Sequence, residues 1–242
     1  MWEPQLALAE LGWRVVAPHL GPVDGIDGGT STPEAPASSA SSMDDYAGEV
    51  VDLLDALRIE DAVIGGLSMG GYVTFALFRH APRYFRGMVL ADTRPQADSP
   101  EGVEGRKRML ALVREKGAAG VAAVANDMLP KLLSDDTRQH HPDIVERARA
   151  LMLANSADAI GGAITALMTR PDSTPLLHTI QCPTLILVGD HDLVTPPPLS
   201  EALHRAIAGS ELAVIEGAGH LSSLEQPAAF NAALARFLEH RV

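Results

Sequence analysis

The feature that most constrains the fold of this chain is a serine set between glycines, directly after a short apolar run. Residues 62–64 (AVI) predict a β-strand, residues 66–70 (GLSMG) a tight turn, and residues 71–80 a helix that ends before Pro82. A serine at the tip of such a turn is strained, so glycines at 66 and 70 let the turn close and expose the Ser68 hydroxyl. The helix N-terminus then favours negative charge beside that hydroxyl.

A serine hydroxyl is a poor nucleophile unless a base takes its proton and an acid orients the base. Candidates for both follow later predicted strands. The apolar run 182–189 leads into Asp192, and the run 212–215 is followed by His220. Two other acids remain open as alternatives: Asp190, close to Asp192, and Asp92, which follows the predicted strand around residues 88–90.

This order of serine, acid and histidine resembles the α/β-hydrolase family. Residues 189–196 match a G-x-x-D-x-x-T-P pattern with Asp192 as the acid, and residues 217–220 read G-A-G-H and end at His220. The resemblance implies an α/β fold with a mostly parallel sheet flanked by helices and an inserted helical lid. It also implies a catalytic triad of Ser68, Asp192 and His220, with the backbone N–H of Met69 in the oxyanion hole. Such a mechanism needs no metal or organic cofactor.

The organisation along the chain fits a core interrupted by one insertion. We expect the core over residues 1–95 and 179–242 and the lid over residues 96–178, because helical periodicity dominates there. The predicted elements of the insertion and the core are helices over 3–12, 43–57, 100–116, 120–133, 141–155, 156–169 and 227–240, a strand over 13–17, a surface loop over 21–42, and a polar loop at His140 and His141.

Members of the family normally begin with two or three strands, the last of which ends in a His-Gly-rich loop that gives a second oxyanion donor. The first residues here look like the start of the helix that follows that loop. The resemblance therefore implies that the N-terminal strands are truncated. The predicted strand over 13–17 would then lack its usual neighbour, and an unpaired sheet edge could lead to homo-oligomers.

Composition excludes several classes of function. The chain has 242 residues with a net charge of −12, which argues against nucleic acid or an anionic membrane as a partner. Its single cysteine, Cys182, excludes an internal disulfide framework, and the sequence shows no apolar span or secretory leader. We therefore expect a cytoplasmic enzyme.

These observations predict a serine hydrolase that cleaves a small-molecule carboxylic ester. An enol-lactonase of the 3-oxoadipate type is the alternative, and its carboxylate-bearing substrate needs a cation in the pocket. A non-catalytic or decayed hydrolase-fold protein that binds a ligand is an alternative of another class. The candidate substrate contacts are Leu67, Leu193, Val194 and Arg94, and the further candidate cations are Arg106, Lys107, Arg108 and Arg170.

Overall fold

A parallel four-stranded sheet forms the centre of the molecule. The computed structural model describes residues 1–21 and 40–242, so most of the predicted surface loop lies outside the described residues. The strands follow the order β1-β2-β3-β4 in the described sheet, and their bounds are Ala62–Leu67 (β1), Phe85–Ala91 (β2), Thr184–Gly189 (β3) and Glu211–Ile215 (β4). All four were predicted from the sequence.

The register brings the carboxyl ends of the strands to nearly the same level. Leu67 at the end of β1 lies opposite Ala91 of β2, Ala91 lies opposite Leu187 of β3, and Gly189 lies opposite Ile215 of β4. The loops that leave the four strands therefore start along one edge, which is where ligands bind in open parallel sheets.

Helices cover both faces of this sheet, because alternate strand residues point to opposite sides. Met88 and Leu90 pack with Phe75 on one face, whereas Val89 packs with Phe230 on the other. The helices that cover the two faces are α1 (Met43–Ala56), α2 (Met69–His80), α8 (Pro197–Ala206), α9 (Ser222–Glu225) and α10 (Pro227–Arg241).

The helix α1 begins with a capping box. The Ser42 hydroxyl accepts a hydrogen bond from the Asp45 N–H at 3.1 Å, and the Asp45 carboxylate accepts one from the Ser42 N–H at 3.0 Å. Each side chain satisfies a helix N–H that has no partner within the helix. The helix therefore has a defined start at Ser42.

Five helices, called the insertion below, lie between β2 and β3. They are α3 (Pro100–Lys116), α4 (Ala118–Leu132), α5 (Asp135–His140), α6 (Pro142–Leu153) and α7 (Ala157–Thr169). Four of them lie within two residues of the predicted bounds. The short helix α5 was not predicted, so His140 ends a helix instead of lying in a loop, although both His140 and His141 are exposed as expected.

The predicted strand over residues 13–17 is wrong. Residues 13–20 belong to no helix or strand, because no strand in the described part of the chain pairs with them. The N-terminal helix is present as a 3-10 helix over Glu3–Leu11, and Gly12 ends it with a φ of 87°. The strands β1 and β4 are the edges of the described sheet. A homo-oligomer that forms at one of these edges stays a prediction.

Within residues 1–21 and 40–242, no single helix has the length and apolar composition needed to cross a membrane. The helices α6 and α7 pass that test only as a pair, by length and composition alone, and the pair is bent by 92°.

A buried ion cluster ties the insertion to the core. The Asp98 side chain, 3% exposed, accepts hydrogen bonds from Arg94 at 2.9 Å, from Arg170 at 2.8 Å and from Arg106. The Arg170 guanidinium also lies 4.2 Å from the ring centre of Tyr72 on α2. Burial alone would raise the pKa of Asp98, but hydrogen bonds and charge from Arg170 and Arg106 outweigh it and lower the pKa to about 2.

The ion cluster gives a prediction about stability. Asp98→Asn leaves three arginines without their carboxylate, so we expect the free energy of unfolding in urea to fall by about 3–5 kcal/mol at pH 7. The exposed pair of Lys131 and Asp127 supplies the control: Asp127→Asn should cost no more than about 0.5 kcal/mol. Equal losses in the two variants would contradict this assignment.

The same cluster has a pH signature. Because its folded pKa of about 2 lies below the ordinary value of 3.8, Asp98 stabilises the fold above about pH 4 and loses that effect as the pH falls toward 2. Unfolding curves between pH 5 and pH 2 should therefore fall less steeply for Asp98→Asn than for the unaltered protein.

Candidate active site

Ser68 lies at the turn between β1 and α2, in a strained backbone conformation. Its φ and ψ are 54° and −112°, and its N–H donates to the Ala91 carbonyl at 2.9 Å. A positive φ at a non-glycine residue is rare and is held in place only by the surrounding structure. The strain turns the Ser68 side chain away from the strand, as the sequence predicted for this turn.

The turn at Ser68 requires glycine at positions 66 and 71, whereas the sequence predicted positions 66 and 70. A Cβ atom at position 66 would lie 2.0 Å from the Gly70 carbonyl carbon, so Gly66 is required for the turn to close. A Cβ at position 70 would meet nothing within 4 Å, so the predicted steric need for Gly70 is wrong. Gly71 is the second constrained position, since a Cβ there would lie 2.5 Å from the Thr93 hydroxyl oxygen.

Three predicted residues meet in a chain of hydrogen bonds. His220 Nε2 lies 2.7 Å from Ser68 Oγ, and His220 Nδ1 lies 2.8 Å from Asp192 Oδ2. A carboxylate can only accept, so Nδ1 carries the proton and donates to Asp192. Nε2 of the neutral ring is then the acceptor for the Ser68 hydroxyl.

Asp192 is surrounded by donors. Its Oδ1 accepts from the N–H groups of Val194 at 2.7 Å and Thr195 at 2.9 Å, and its Oδ2 accepts from the Thr195 hydroxyl at 2.7 Å as well as from His220. Burial by itself would raise the pKa of Asp192, but the hydrogen bonds and charge of His220 and the bonds from Thr195 outweigh it and lower the pKa. Asp192 is therefore ionised near neutral pH.

The two alternative acids make other contacts. Asp190 accepts from the N–H of Ala218 at 3.2 Å and pairs with His191 at 2.7 Å. Asp92 is fully buried and accepts hydrogen bonds from the Gly189 N–H at 2.9 Å and from the Ser222 hydroxyl. Neither acid forms a hydrogen bond with His220 among the described contacts, so the geometry favours Asp192 as the partner of the histidine.

Comparison with known proteins identifies the family. Residues 1–233 match the model of the alpha/beta hydrolase family. The chain belongs to the alpha/beta hydrolase family. This hydrolase is 31% identical over 236 residues to 3-oxoadipate enol-lactonase 2 of Acinetobacter baylyi, covering 97% of this chain and 82% of the relative. It is 27% identical over 244 residues to an uncharacterized carboxylesterase of Bacillus subtilis, covering 98% of this chain and 74% of the relative.

Solved structures give the same family. A thermophilic esterase from Thermogutta terrifontis superposes with a TM-score of 0.80 at 38% identity, covering 83% of this chain and 73% of the esterase. The enol-lactonase from Burkholderia xenovorans LB400 superposes with a TM-score of 0.80 at 26% identity, covering 99% of this chain and 86% of the lactonase. These similarities support the enol-lactonase-like branch of the family.

The helical insertion of this hydrolase is bonded directly to the loop that carries His220. The buried carboxylate of Glu225 accepts from the Gly219 N–H at 2.9 Å and from the Ser134 N–H at 2.8 Å. Nearby, the Leu221 N–H donates to the Leu132 carbonyl at 3.2 Å. The junction between α4 and α5 therefore fixes the histidine loop from outside the sheet. Glu225 was not predicted, because it lies in a mixed stretch (residues 220–227, HLSSLEQP) with no recognisable motif.

An apolar cavity lies between the insertion and this loop. Its volume is about 210 Å³, and side chains of α4, α6 and α7, Met1 and Leu221 line it. Asn155 has a polar side chain, and none of the described lining side chains is charged. Leu221, which lines the cavity, is the neighbour of His220 in the chain, whereas Ser68, Asp192 and His220 are not among the described lining residues.

The predicted substrate contacts lie in different surroundings. Leu67 is 4% exposed and packs in the core, Leu193 is 68% exposed beside Asp192, and Val194 is half-buried. The Arg94 guanidinium is bound to Asp98. Their contact with substrate, like the oxyanion role of the Met69 N–H in the first turn of α2, stays a prediction.

The turn at Ser68 yields a matched pair of variants. Gly66→Ala should prevent the turn from closing, so we expect a soluble fraction that is unfolded or reduced in melting temperature by more than about 10 °C. Gly70→Ala should leave the melting temperature unchanged or slightly raised, because alanine is the better helix former and meets open space. Similar melting temperatures in the two variants, measured by circular dichroism, would refute the steric argument.

Proposed function

We propose that the chain hydrolyses a small carboxylic ester through an acyl-enzyme formed on Ser68. Its enol-lactonase, carboxylesterase and esterase relatives make it a carboxylic ester hydrolase. The single observation that carries the mechanism is the pair of hydrogen bonds at His220, 2.7 Å to Ser68 and 2.8 Å to Asp192. These distances match a nucleophile, a base and an orienting acid.

In the first half of the reaction Ser68 Oγ attacks the ester carbonyl carbon while His220 Nε2 takes the hydroxyl proton. The ionised Asp192 holds the ring in the tautomer that exposes Nε2 and stabilises the imidazolium that forms. The Met69 N–H, in the unpaired first turn of α2, donates to the carbonyl oxygen as it gains negative charge. His220 then protonates the departing alcohol.

In the second half water replaces the alcohol. His220 takes a proton from water, the resulting hydroxide attacks the acyl carbon, and the bond between Ser68 Oγ and the acyl group breaks as the proton returns to the serine. The acid is released and the starting state is restored. No metal or organic cofactor takes part in these steps.

The five-helix insertion serves as the lid of this site in our proposal. Two observations support this role: its α4–α5 junction binds the histidine loop through Glu225, and its helices line an apolar cavity together with Leu221, the residue after His220. An apolar lining suits an uncharged acyl or alcohol group, because an unpaired carboxylate is costly to bury there. We therefore favour a neutral ester as the substrate. With one cysteine in the chain, we also propose a cytoplasmic location.

A lactone that carries a carboxylate is the second candidate. The enol-lactonase relatives and an excess of positive charge support it, since three arginines surround the single carboxylate of Asp98. Of these three, Arg94 is the most exposed, at 29% of its side chain. The remaining cations proposed from the sequence, Lys107 and Arg108, are exposed at the surface.

Hydrolysis of a short p-nitrophenyl ester tests the mechanism. Ser68→Ala removes the nucleophile, so kcat should fall by about 10⁴-fold or more, with His220→Ala losing a similar amount. The control is Ser41→Ala, which changes an exposed serine just before α1 and should keep full activity. A folded Ser68→Ala variant with the rate of the unaltered protein would refute the serine mechanism, and no hydrolysis by either folded protein would favour a protein that only binds ligands.

Two substrates of equal chain length distinguish ester from lactone chemistry. In our proposal the acyl or alcohol group enters the apolar cavity, so we expect kcat/KM to be about ten-fold or more higher for a neutral p-nitrophenyl ester than for its analogue with a terminal carboxylate. The lactone candidate predicts the reverse preference, and it predicts that Arg94→Met raises KM for the anionic substrate alone. Rates measured on both substrates with both proteins decide between the two.

A further inference from the structure

A carboxyl group beside the proposed triad has no part in the mechanism described above. Asp92 follows β2 directly, its side chain is completely buried, and its φ of 46° is unusual for a residue with a side chain. A strained and buried acid persists only where the surrounding contacts hold it. The contacts of Asp92 therefore indicate what it does.

Those contacts join the two loops that carry the acid and the histidine. Asp92 Oδ1 accepts from the N–H of Gly189, the last residue of β3, three positions before Asp192. Its Oδ2 accepts from the hydroxyl of Ser222, two positions after His220. The Asp92 N–H in turn donates to the Leu187 carbonyl at 2.9 Å, which fixes the residue to β3.

We infer that Asp92 is a positioning residue that sets the distance between Asp192 and His220 by holding Gly189 with one carboxyl oxygen and Ser222 with the other. This inference rests on the proposed function. It makes Asp92 a brace for the triad, in which Asp192 remains the hydrogen-bond partner of the histidine.

Asp92 holds Gly189 and Ser222 through the hydrogen bonds of its carboxyl group more than through its negative charge. Burial raises the pKa of Asp92 to about 7, against the opposing influence of the His220 charge and of the bonds from Ser222 and Gly189; the charge of Asp192 adds to the increase. The group is thus far less ionised near neutral pH than an ordinary aspartate. A neutral amide of the same shape can accept from Gly189 and donate to the Ser222 oxygen.

The test combines kinetics with a direct view of the histidine. Asp92→Asn should keep kcat within about three-fold, whereas Asp92→Gly, which tolerates the positive φ, should lower kcat by about 10²-fold at nearly constant KM. Ser222→Ala should lower kcat by about ten-fold. The control is Ser223→Ala, because the Ser223 hydroxyl is equally buried and has no hydrogen-bond partner in the described structure.

Proton NMR follows the His220 Nδ1–H resonance in the same proteins. We expect it to shift or broaden in Asp92→Gly and Ser222→Ala and to stay in place in Asp92→Asn and Ser223→Ala. If Asp92→Gly does not fold, the pair of serine variants still decides the question.

Two results would overturn the inference. Either Ser222→Ala behaves like Ser223→Ala in both kinetics and NMR, or Asp92→Asn is as impaired as Asp92→Gly, which would assign the role to charge. The failure of the proposed function looks different: the unaltered protein would hydrolyse no ester, and the NMR comparison alone would then test the brace.

Discussion

The hydrogen bond between Ser68 and His220 joins loops from the two opposite edges of the described sheet, β1 and β4. Two strands lie between those edges, and at about 4.8 Å per strand the edges are roughly 14 Å apart. The residues after β4 must therefore fold back across the end of β3. Gly189 permits this crossing, since a Cβ atom there would lie 2.1 Å from the Gly219 carbonyl oxygen. A loop that crosses this far needs fixed points along its path.

Buried carboxyl groups supply those fixed points. Asp92, Asp192 and Glu225 each accept at least two hydrogen bonds, and each is less than 5% exposed. A buried acceptor that lost its donors would cost about 1–3 kcal/mol, so these bonds penalise any displacement of the loops. The geometry at His220 is thus maintained by these three acceptors, of which Glu225 also binds the Ser134 N–H of the insertion.

The sequence predicts the parts of this site that depend on local patterns. Short motifs, each only a few residues long, predict the four strands and the turn at Ser68. They also place Asp192 and His220 just after strands. Asp92 as a brace and Glu225 as a link to the insertion depend on bonds between residues about 90 to 130 positions apart, which no local pattern encodes. The strand predicted over 13–17 failed for a related reason, because β-propensity needs a neighbouring strand to pair with.

The bonds from Glu225 to Ser134 and from Leu221 to Leu132 have a consequence for protein engineering. Exchange of the insertion between related enzymes is an attractive way to alter selectivity, with the natural splice points near the end of β2 and the start of β3. A graft made there would also replace the backbone that meets the histidine loop. A working chimera must therefore carry residues 132–134 and Glu225 as one inherited unit, or retain a native α4–α5 corner within the foreign segment.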